Sequence, residues 1–244
     1  MDAPGNAPTD AVLLLLADAR LPAGGHAHSG GLETAAATGV VHDLATLTAF
    51  LRGRLATAGL VTAGLAAAAC ALAREPAGNA PPGRAGPPAR TPDGWERLDA
   101  EADARTPSPA QRRASRAQGR ALLRVARGLW PGSVLDLPAG AAGGPHHPIV
   151  LGAAVAAAGG VPVRAAQIAA YGAVTGPASA AVRLLGLDPL GAYRVLAGLA
   201  ARVDAVAAEA AASVRAGGLP AASAPALDVF AELHDRAGTR LFES

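Results

Sequence analysis

The sequence predicts an all-α protein, a single compact domain of about nine or ten helices that pack as an Ala/Leu-rich bundle. Hydrophobic residues make up 51% of the 244 residues but aromatic residues only 3%, so alanine, leucine and valine must build the core. Alanine has the highest helix propensity, and β-branched, aromatic-rich runs typical of strands are absent. A chain of this length can bury one sizeable core, so residues 1–244 are predicted to form one domain.

Four helices are predicted before the first proline-rich segment. Residues 11–19 and 31–38 each predict a short helix, and both are followed by glycine or proline. Asp43 is a good N-cap for a third helix, whose inward face carries Leu44, Leu47, Leu51 and Leu55. We expect a break near Gly59, followed by an apolar helix that ends at about Arg74.

Residues 75–94 contain six prolines among glycine, alanine and arginine. Such a segment cannot hold a helix or bury a core, so it is predicted to be a disordered surface insertion. The helices on either side need each other for burial, and the insertion is therefore not a domain boundary. A short amphipathic helix is predicted for residues 95–104.

Proline marks the start of each long helix in the second half of the chain. Ser108 and Pro109 supply an N-cap and a first-turn proline for a helix that ends at about residue 129. After a loop at 134–144, helices are predicted at 146–158 and from Pro162, the latter kinked at Gly176-Pro177. Asp188-Pro189 begins the last long helix. Residues 217–244 are predicted to be a mobile tail with a short helix at 227–235.

Charge and composition exclude several function classes. All 21 basic residues are arginine, so the chain lacks the lysine of a P-loop nucleotide hydrolase or a Schiff-base enzyme. Helical spacing aligns one arginine stripe, predicted to be a solvated face or a docking face for an acidic partner: Arg112, Arg113, Arg116, Arg120, Arg124 and Arg127. No aromatic residues interleave with the stripe, which disfavours nucleic-acid binding.

The sequence favours a cytoplasmic protein. Its single cysteine, Cys70, lies in an apolar run and is predicted to be a core residue of a protein in a reducing compartment. Residues 1–10 carry two acids and no base, unlike a secretory signal. Residues 55–73 are uncharged and long enough to raise the question of a membrane span, but they are mostly Ala, Gly and Thr and predict a buried bundle helix.

The glycine-rich segment at residues 21–33 is the strongest functional candidate, because an ordinary helix connection needs only one helix-stopping residue. Its His26 and His28 are candidate ligands for nickel, zinc or copper, although their spacing is loose and no acidic cluster adjoins them. Ser29 lies in a sequence close to a nucleophile elbow, which requires a preceding strand. No strand is predicted before Ser29, so this residue is better explained as an N-cap of the following helix.

Three further segments carry candidate residues. His146-His147 precedes an apolar helix and predicts its N-terminal turn, since adjacent helix residues diverge too far for joint chelation. Arg183 is a lone charge in an apolar helix and either extends its head to solvent or meets a partner surface. The tail holds Phe230 and Phe242, two of the three phenylalanines, which predicts either docking to a partner or packing on its own domain.

The glycine-rich segment resembles the N-terminal signature of the urease accessory protein UreF family. The resemblance rests on the order Leu-Pro-x-Gly-Gly-x-x-His-Ser-x-Gly-Leu-Glu at residues 21–33. Similar family segments are found at 113–123 (Arg-Ala-Ser, then Gln-Gly-Arg and Leu-Leu), at 147–152 (His-Pro-Ile-Val, then Gly), at 179–183 and at 234–244. Together they cover most of the chain apart from the first ten residues and the insertion.

The resemblance implies an all-α, dimeric protein that is not an enzyme. Members of the family join a UreD-type (also UreH-type) accessory protein and the nickel-binding GTPase UreG, and the complex delivers nickel to apo-urease. The chain would then need no cofactor of its own, because the complex handles the nickel. The resemblance also implies a set of partner-binding residues: Gly24, Gly25, His26, His28, Ser29, Glu33, Arg183, His234, Arg240, Leu241 and Phe242.

Two other function classes remain open from the residues alone. A small helical hydrolase would use Ser29 and His28, and it requires a strand before Ser29 and a buried acid near His28. A small helical metal-binding protein would use His26 and His28.

Overall fold

The computed structural model describes residues 10–18, 20–75, 92–136 and 143–244. The described residues form α-helices and short helical turns without a strand, which confirms the all-α prediction. The helices are α1 (Asp10–Ala17), α2 (Leu32–Ala37), α3 (Leu44–Arg54), α4 (Leu60–Arg74), α5 (Pro92–Ala104), α6 (Pro109–Leu129), α7 (His147–Ala157), α8 (Pro162–Leu185), α9 (Pro189–Arg215) and α10 (Pro225–Asp235).

The predicted break near Gly59 is wrong. A π-helical turn, Leu55–Gly59, joins α3 to α4, so the chain is helical without interruption from Leu44 to Arg74. Gly59 has helical backbone angles, and a Cβ added there would lie 3.2 Å from the Arg54 carbonyl oxygen, 3.3 Å from Leu55 Cδ1 and 3.4 Å from the Cβ of Ala173 in α8. The glycine therefore serves close packing, within its own π-helical turn and against α8, rather than helix termination.

Helix α5 begins at Pro92, three residues before its predicted start at Trp95. Residues 92–94 were assigned to the insertion, but proline suits the first turn of a helix and Asp93 complements the helix dipole there. The rest of the predicted insertion, apart from Glu75, lies outside the described residues.

The predicted caps form as expected. Asp43 accepts a hydrogen bond from the Thr46 amide and forms a capping box with it. The Ser108 side chain accepts from the Gln111 amide at the start of α6. Asp188 accepts from the amides of Leu190 and Gly191 at the start of α9. Each cap satisfies backbone donors that the first helical turn would otherwise leave without a partner.

Helix α4 is the centre of the fold, since it contributes to both buried apolar clusters. Its Leu65 and Ala66 pack with α1, α5, α6 and α7, whereas its Ala63 and Ala67 pack with α2, α3, α8 and α9. The contact with α7 is so close that a Cβ on Gly152 would lie 2.2 Å from the Ala66 carbonyl oxygen. Small residues allow this approach, which explains how a core with few aromatic side chains is filled.

Two helical stretches, Leu44–Arg74 and Pro162–Leu185, are long and apolar enough to cross a bilayer by length and composition alone. Core helices of soluble proteins meet the same criteria. The most apolar window of the first stretch is 61% buried inside the fold, and the predicted bundle helix at 55–73 lies within it. The helices are therefore consistent with a soluble protein.

Candidate functional site

The glycine-rich segment folds into a tight loop between α1 and α2. A short 3-10 turn, Gly25–Ala27, follows Gly24, and two further glycines lead into α2. The φ angles of Gly24, Gly30 and Gly31 are +77°, +64° and +90°, a region that favours glycine. Backbone geometry therefore explains why glycine occupies three positions of this loop. We call residues 24–31 the glycine loop.

Ser29 is not the N-cap of α2 as predicted. The cap is Gly31, because two glycines with positive φ separate Ser29 from the first helical residue. The Ser29 hydroxyl still serves the helix start, since it accepts a hydrogen bond from the Glu33 amide at 3.2 Å. The side chain is fully buried.

The end of the chain lies against the glycine loop. The Ser244 carbonyl oxygen accepts hydrogen bonds from the Ser29 amide at 2.5 Å and the Gly30 amide at 3.3 Å, and from the Ser29 hydroxyl at 2.9 Å. The Glu243 amide donates to the Ala27 carbonyl at 2.7 Å, and the Ser244 hydroxyl lies 2.7 Å from His28 Nδ1. Loop and tail therefore form one site, although more than 210 residues separate them in sequence.

Glu33 holds the backbone of the tail. Its carboxylate accepts hydrogen bonds from the backbone amides of Leu241 at 2.7 Å and Phe242 at 3.0 Å. His234 of α10 is buried, with Nε2 3.1 Å from the Phe242 carbonyl and Nδ1 3.7 Å from the Glu33 carboxylate. A carbonyl only accepts, so Nε2 must carry the proton. Four predicted site residues thus meet in one network.

Phe242 anchors the tail in the core. Its side chain is 4% exposed and packs into the cluster formed by α2, α3, α4, α8 and α9. The guanidinium of Arg183 lies 4.4 Å from the centre of the Phe242 ring, a cation–π contact. Leu241 is 63% exposed, and Arg240 is also exposed. Residues 242–244 pack on their own domain, whereas mobility of the tail, 217–244, stays a prediction.

Arg54, a half-buried arginine that no sequence signal singled out, supports the loop from the side of the core. Arg54 Nη1 donates to the Gly30 carbonyl at 2.7 Å, and Nε donates to the Ala173 carbonyl at 3.0 Å. Pro177 lacks an amide hydrogen, so the carbonyl four residues earlier, at Ala173, loses its usual helical partner. Burial lowers the pKa of Arg54 to about 10. The proline in α8 thus creates the acceptor that helps to hold Arg54 under the loop.

His146 and His147 begin α7 in different environments. His146 is the N-cap residue and is buried, with Nε2 2.9 Å from Asp103 and Nδ1 3.0 Å from the Ser115 hydroxyl. Burial lowers the pKa of His146 despite the neighbouring carboxylate. Burial also lowers the pKa of His147 to about 4, with a smaller contribution from His28. Both imidazoles are therefore neutral at pH 7, and the pair forms the N-terminal turn of α7 as predicted.

The arginine stripe of α6 is not uniformly a solvated face. Arg116 is buried and pairs with Asp99 and Asp103 at 2.8 Å each. Charge periodicity cannot distinguish an arginine facing solvent from one facing the carboxylates of α5. Other members of the stripe contact their own chain: Arg112 binds the Thr106 carbonyl, Arg113 binds Asp235, Arg120 binds the Gly143 carbonyl and Arg127 binds the Leu135 carbonyl.

Comparison with known proteins identifies the family of this chain. The family model described as UreF matches residues 41–200. The chain is 45% identical over 234 residues to the urease accessory protein UreF of Mycolicibacterium vanbaalenii, covering 96% of this chain and 98% of that protein. The chain belongs to the UreF family. The corresponding urease accessory proteins of Mycobacterium tuberculosis and Mycobacterium marinum are each 42% identical to this UreF-family chain, over 96% and 97% of its length and 98% and 99% of theirs.

The hydrolase alternative lacks its structural requirements. A 3-10 turn, not a strand, precedes Ser29. The Ser29 hydroxyl donates to Ser244, and His28 Nδ1 also faces Ser244 rather than Ser29. His28 forms an ion pair with the Glu243 carboxylate, which lies 3.8 Å away on a side chain that is 71% exposed. The UreF relatives are named accessory proteins rather than enzymes, which agrees with this geometry.

Metal binding by His26 and His28 stays a prediction. Among the side chains that the structure describes, no group of three or more His, Cys, Asp or Glu residues is arranged to hold a metal ion. The His26 side chain lies outside the described part. One ring nitrogen of His28 already contacts the Ser244 hydroxyl, so a metal at that nitrogen would have to displace the tail.

Proposed function

We propose that this chain is a urease maturation factor that acts through protein–protein contacts and has no catalytic chemistry of its own. A homodimer of the chain would hold a UreD-type accessory protein and a UreG-type GTPase beside apo-urease in the cytoplasm. It would couple the nucleotide state of the GTPase to nickel release. Nickel is then cargo of the complex, and neither nucleic acid nor a membrane takes part. Membership of the UreF family supports this proposal.

The observation that carries the proposal is the joining of the glycine loop and the tail into one site. Glu33, Ser29 and Gly30 hold the tail through its backbone. The side chains of Arg240 and Leu241 remain exposed on this fixed backbone. A partner that binds exposed side chains on an ordered segment avoids most of the entropy cost of ordering it. Arginine is also enriched among residues that dominate binding energies.

The proposal is tested by co-expressing the chain with the UreD-type protein and the GTPase from the same source, and by purifying through a tag on this chain. One variant carries Arg240→Ala with Leu241→Ala, which removes exposed groups and leaves the backbone amides held by Glu33 in place. A matched control carries Arg215→Ala with Leu129→Ala, an exposed arginine of α9 and an exposed leucine of α6. We expect all three proteins to co-elute with the wild type and the control, and recovery to fall with the tail variant.

Absence of association in the presence of GTP, GDP and nickel would refute the scaffold proposal. Equal recovery with the tail variant and the control would show that the side chains of Arg240 and Leu241 are not part of the docking surface. The isolated chain is also passed through gel filtration after incubation with nickel. Stoichiometric retention of nickel would favour the metal-binding alternative that uses His26 and His28.

A further inference from the structure

A second surface, remote in sequence from the tail, lies between α3 and the first half of α9. Leu44 at the start of α3 meets Gly191 at the start of α9, and Arg52 and Gly198 line the same groove one to two turns further along each helix. The two helices therefore run in the same direction. The groove has a volume of about 390 Å³. Eight residues of α3 give it a length of about 12 Å, or two helical turns.

The groove has an apolar floor and two arginines at its edge. Leu44, Val195 and Leu199 supply the floor, together with the Thr48 side chain. Gly198 leaves space above α9, since a Cβ added there meets no atom within 4 Å. No aromatic side chain lines the groove, which disfavours stacking of a nucleic-acid base. The apolar floor and the open space at Gly198 instead suit the apolar face of a helix that lies in the groove.

The residues that line the groove carry a net positive charge. Arg52 and Arg194 are exposed, and within the described ranges neither has an ion pair or a side-chain hydrogen bond. Arg202 is also exposed and lies on the same face of α9, eight residues after Arg194. Asp188 also lines the groove, at the end where both helices begin, and it accepts hydrogen bonds from the backbone amides of Leu190 and Gly191. The two arginines therefore outnumber the carboxylate of the lining.

We propose that this α3–α9 groove binds an acidic segment of a protein partner. An aliphatic side chain of the segment lies on the Leu44, Val195 and Leu199 floor, and flanking carboxylates pair with Arg52 and Arg194. Arginine suits carboxylates because its guanidinium can donate two parallel hydrogen bonds. Small anions would gain nothing from the apolar floor. This surface is separate from the loop–tail site, so the proposal does not depend on the proposed function.

The test uses two fluorescein-labelled amphipathic helical peptides and the full-length chain. One peptide combines glutamate, alanine and leucine, and its counterpart has lysine in place of every glutamate. Fluorescence anisotropy should detect binding of the acidic peptide only, with an affinity that falls as salt rises. Arg52→Glu with Arg194→Glu should raise its dissociation constant by about tenfold or more, which corresponds to about 1.4 kcal/mol. Arg97→Glu with Arg215→Glu, which reverses two exposed charges outside both the groove and the arginine stripe of α6, should leave binding unchanged.

A Gly198→Leu variant fills the groove without altering charge, and it should also weaken binding of the acidic peptide. Circular dichroism confirms that each variant is folded. The proposal is overturned if the acidic peptide binds neither protein, or binds wild type and the groove variant equally. It is also overturned if the groove variant changes only the self-association of the chain, because the occupant would then be a second copy. The co-purification described above reports on the proposed function separately.

Discussion

The Glu33 carboxylate is predicted to control docking of the tail. Glu33→Ala removes the acceptor for two backbone amides, those of Leu241 and Phe242. Hydrogen bonds to a charged group contribute about 1.5–3 kcal/mol each. The Glu33 side chain is 16% exposed, and even at the lower end of this range the two bonds together contribute about 3 kcal/mol. Since 1.4 kcal/mol is a factor of ten, the docking equilibrium should fall by about 100-fold.

Hydrogen exchange followed by mass spectrometry measures this effect directly. Peptides that contain Leu241 and Phe242 should exchange about 100-fold faster in Glu33→Ala, because the opened tail leaves these amides in water. Glu33→Gln keeps one acceptor oxygen and should give an intermediate rate. Peptides of α4 should exchange as in the wild type, since the core does not depend on this contact. Glu209→Ala, which removes an exposed glutamate of α9, provides the control.

Glu33 also lies in the first turn of α2, so loss of its charge weakens the start of that helix by a smaller amount. Exchange of α2 peptides must therefore be followed alongside the tail. If tail peptides were protected equally in wild type and Glu33→Ala, the carboxylate would not hold the tail, and docking would have to depend on burial of Phe242 and on the hydrogen bonds of Glu243 and Ser244 with the glycine loop. Faster exchange everywhere would instead indicate global destabilisation.

Four other substitutions test the packing and electrostatics. Gly152→Ala should destabilise the fold by roughly 1–3 kcal/mol in urea unfolding, because the added Cβ would meet the α4 backbone. Gly172→Ala should instead stabilise the fold by about 1 kcal/mol, because its Cβ would meet no atom within 4 Å and alanine has the higher helix propensity. Arg54→Met should cost about 2 kcal/mol and speed exchange in the glycine loop, because two carbonyls lose their donor. His147 has a folded pKa of about 4, below its unfolded value, so its stability contribution is present at pH 7 and is lost as pH falls from about 6.5 towards 4. Between pH 7 and pH 5 the wild type should lose about 2 kcal/mol more stability than His147→Gln, measured by urea unfolding at each pH.

Helix positions could be predicted closely because their signals are local. Asp43, Ser108 and Asp188 each cap the helix that follows them, and a cap depends on residues within one turn. The role of Gly59 could not be obtained in this way. Glycine in a helical pattern signals either termination or close packing, and only the position of Ala173 on another helix decides between them.

The candidate site could be predicted in part for the same reason. The glycine loop stands out in the sequence because its residue types are unusual for a helix connection. Arg54 does not stand out in the sequence, because an arginine at the end of a helical pattern is normally solvent-exposed. Its hydrogen-bond partner, the Ala173 carbonyl, is also 119 residues away. Arg116 is similar: its spacing matches the exposed arginines of α6, whereas its burial depends on Asp99 and Asp103 of α5.

Gly30 is where the local signature and the long-range contacts meet. Its amide donates to the Ser244 carbonyl and its own carbonyl accepts from the half-buried Arg54 guanidinium, so this residue links the tail on one side of the loop to Arg54 on the other. A side chain at Gly30 would be strained at φ +64°, and its Cβ would lie 2.9 Å from the Arg54 guanidinium. The glycine-rich sequence is thus the local consequence of a loop whose two faces are both occupied by backbone contacts. That arrangement leaves the exposed tail side chains, rather than the loop backbone, as the groups available to a partner.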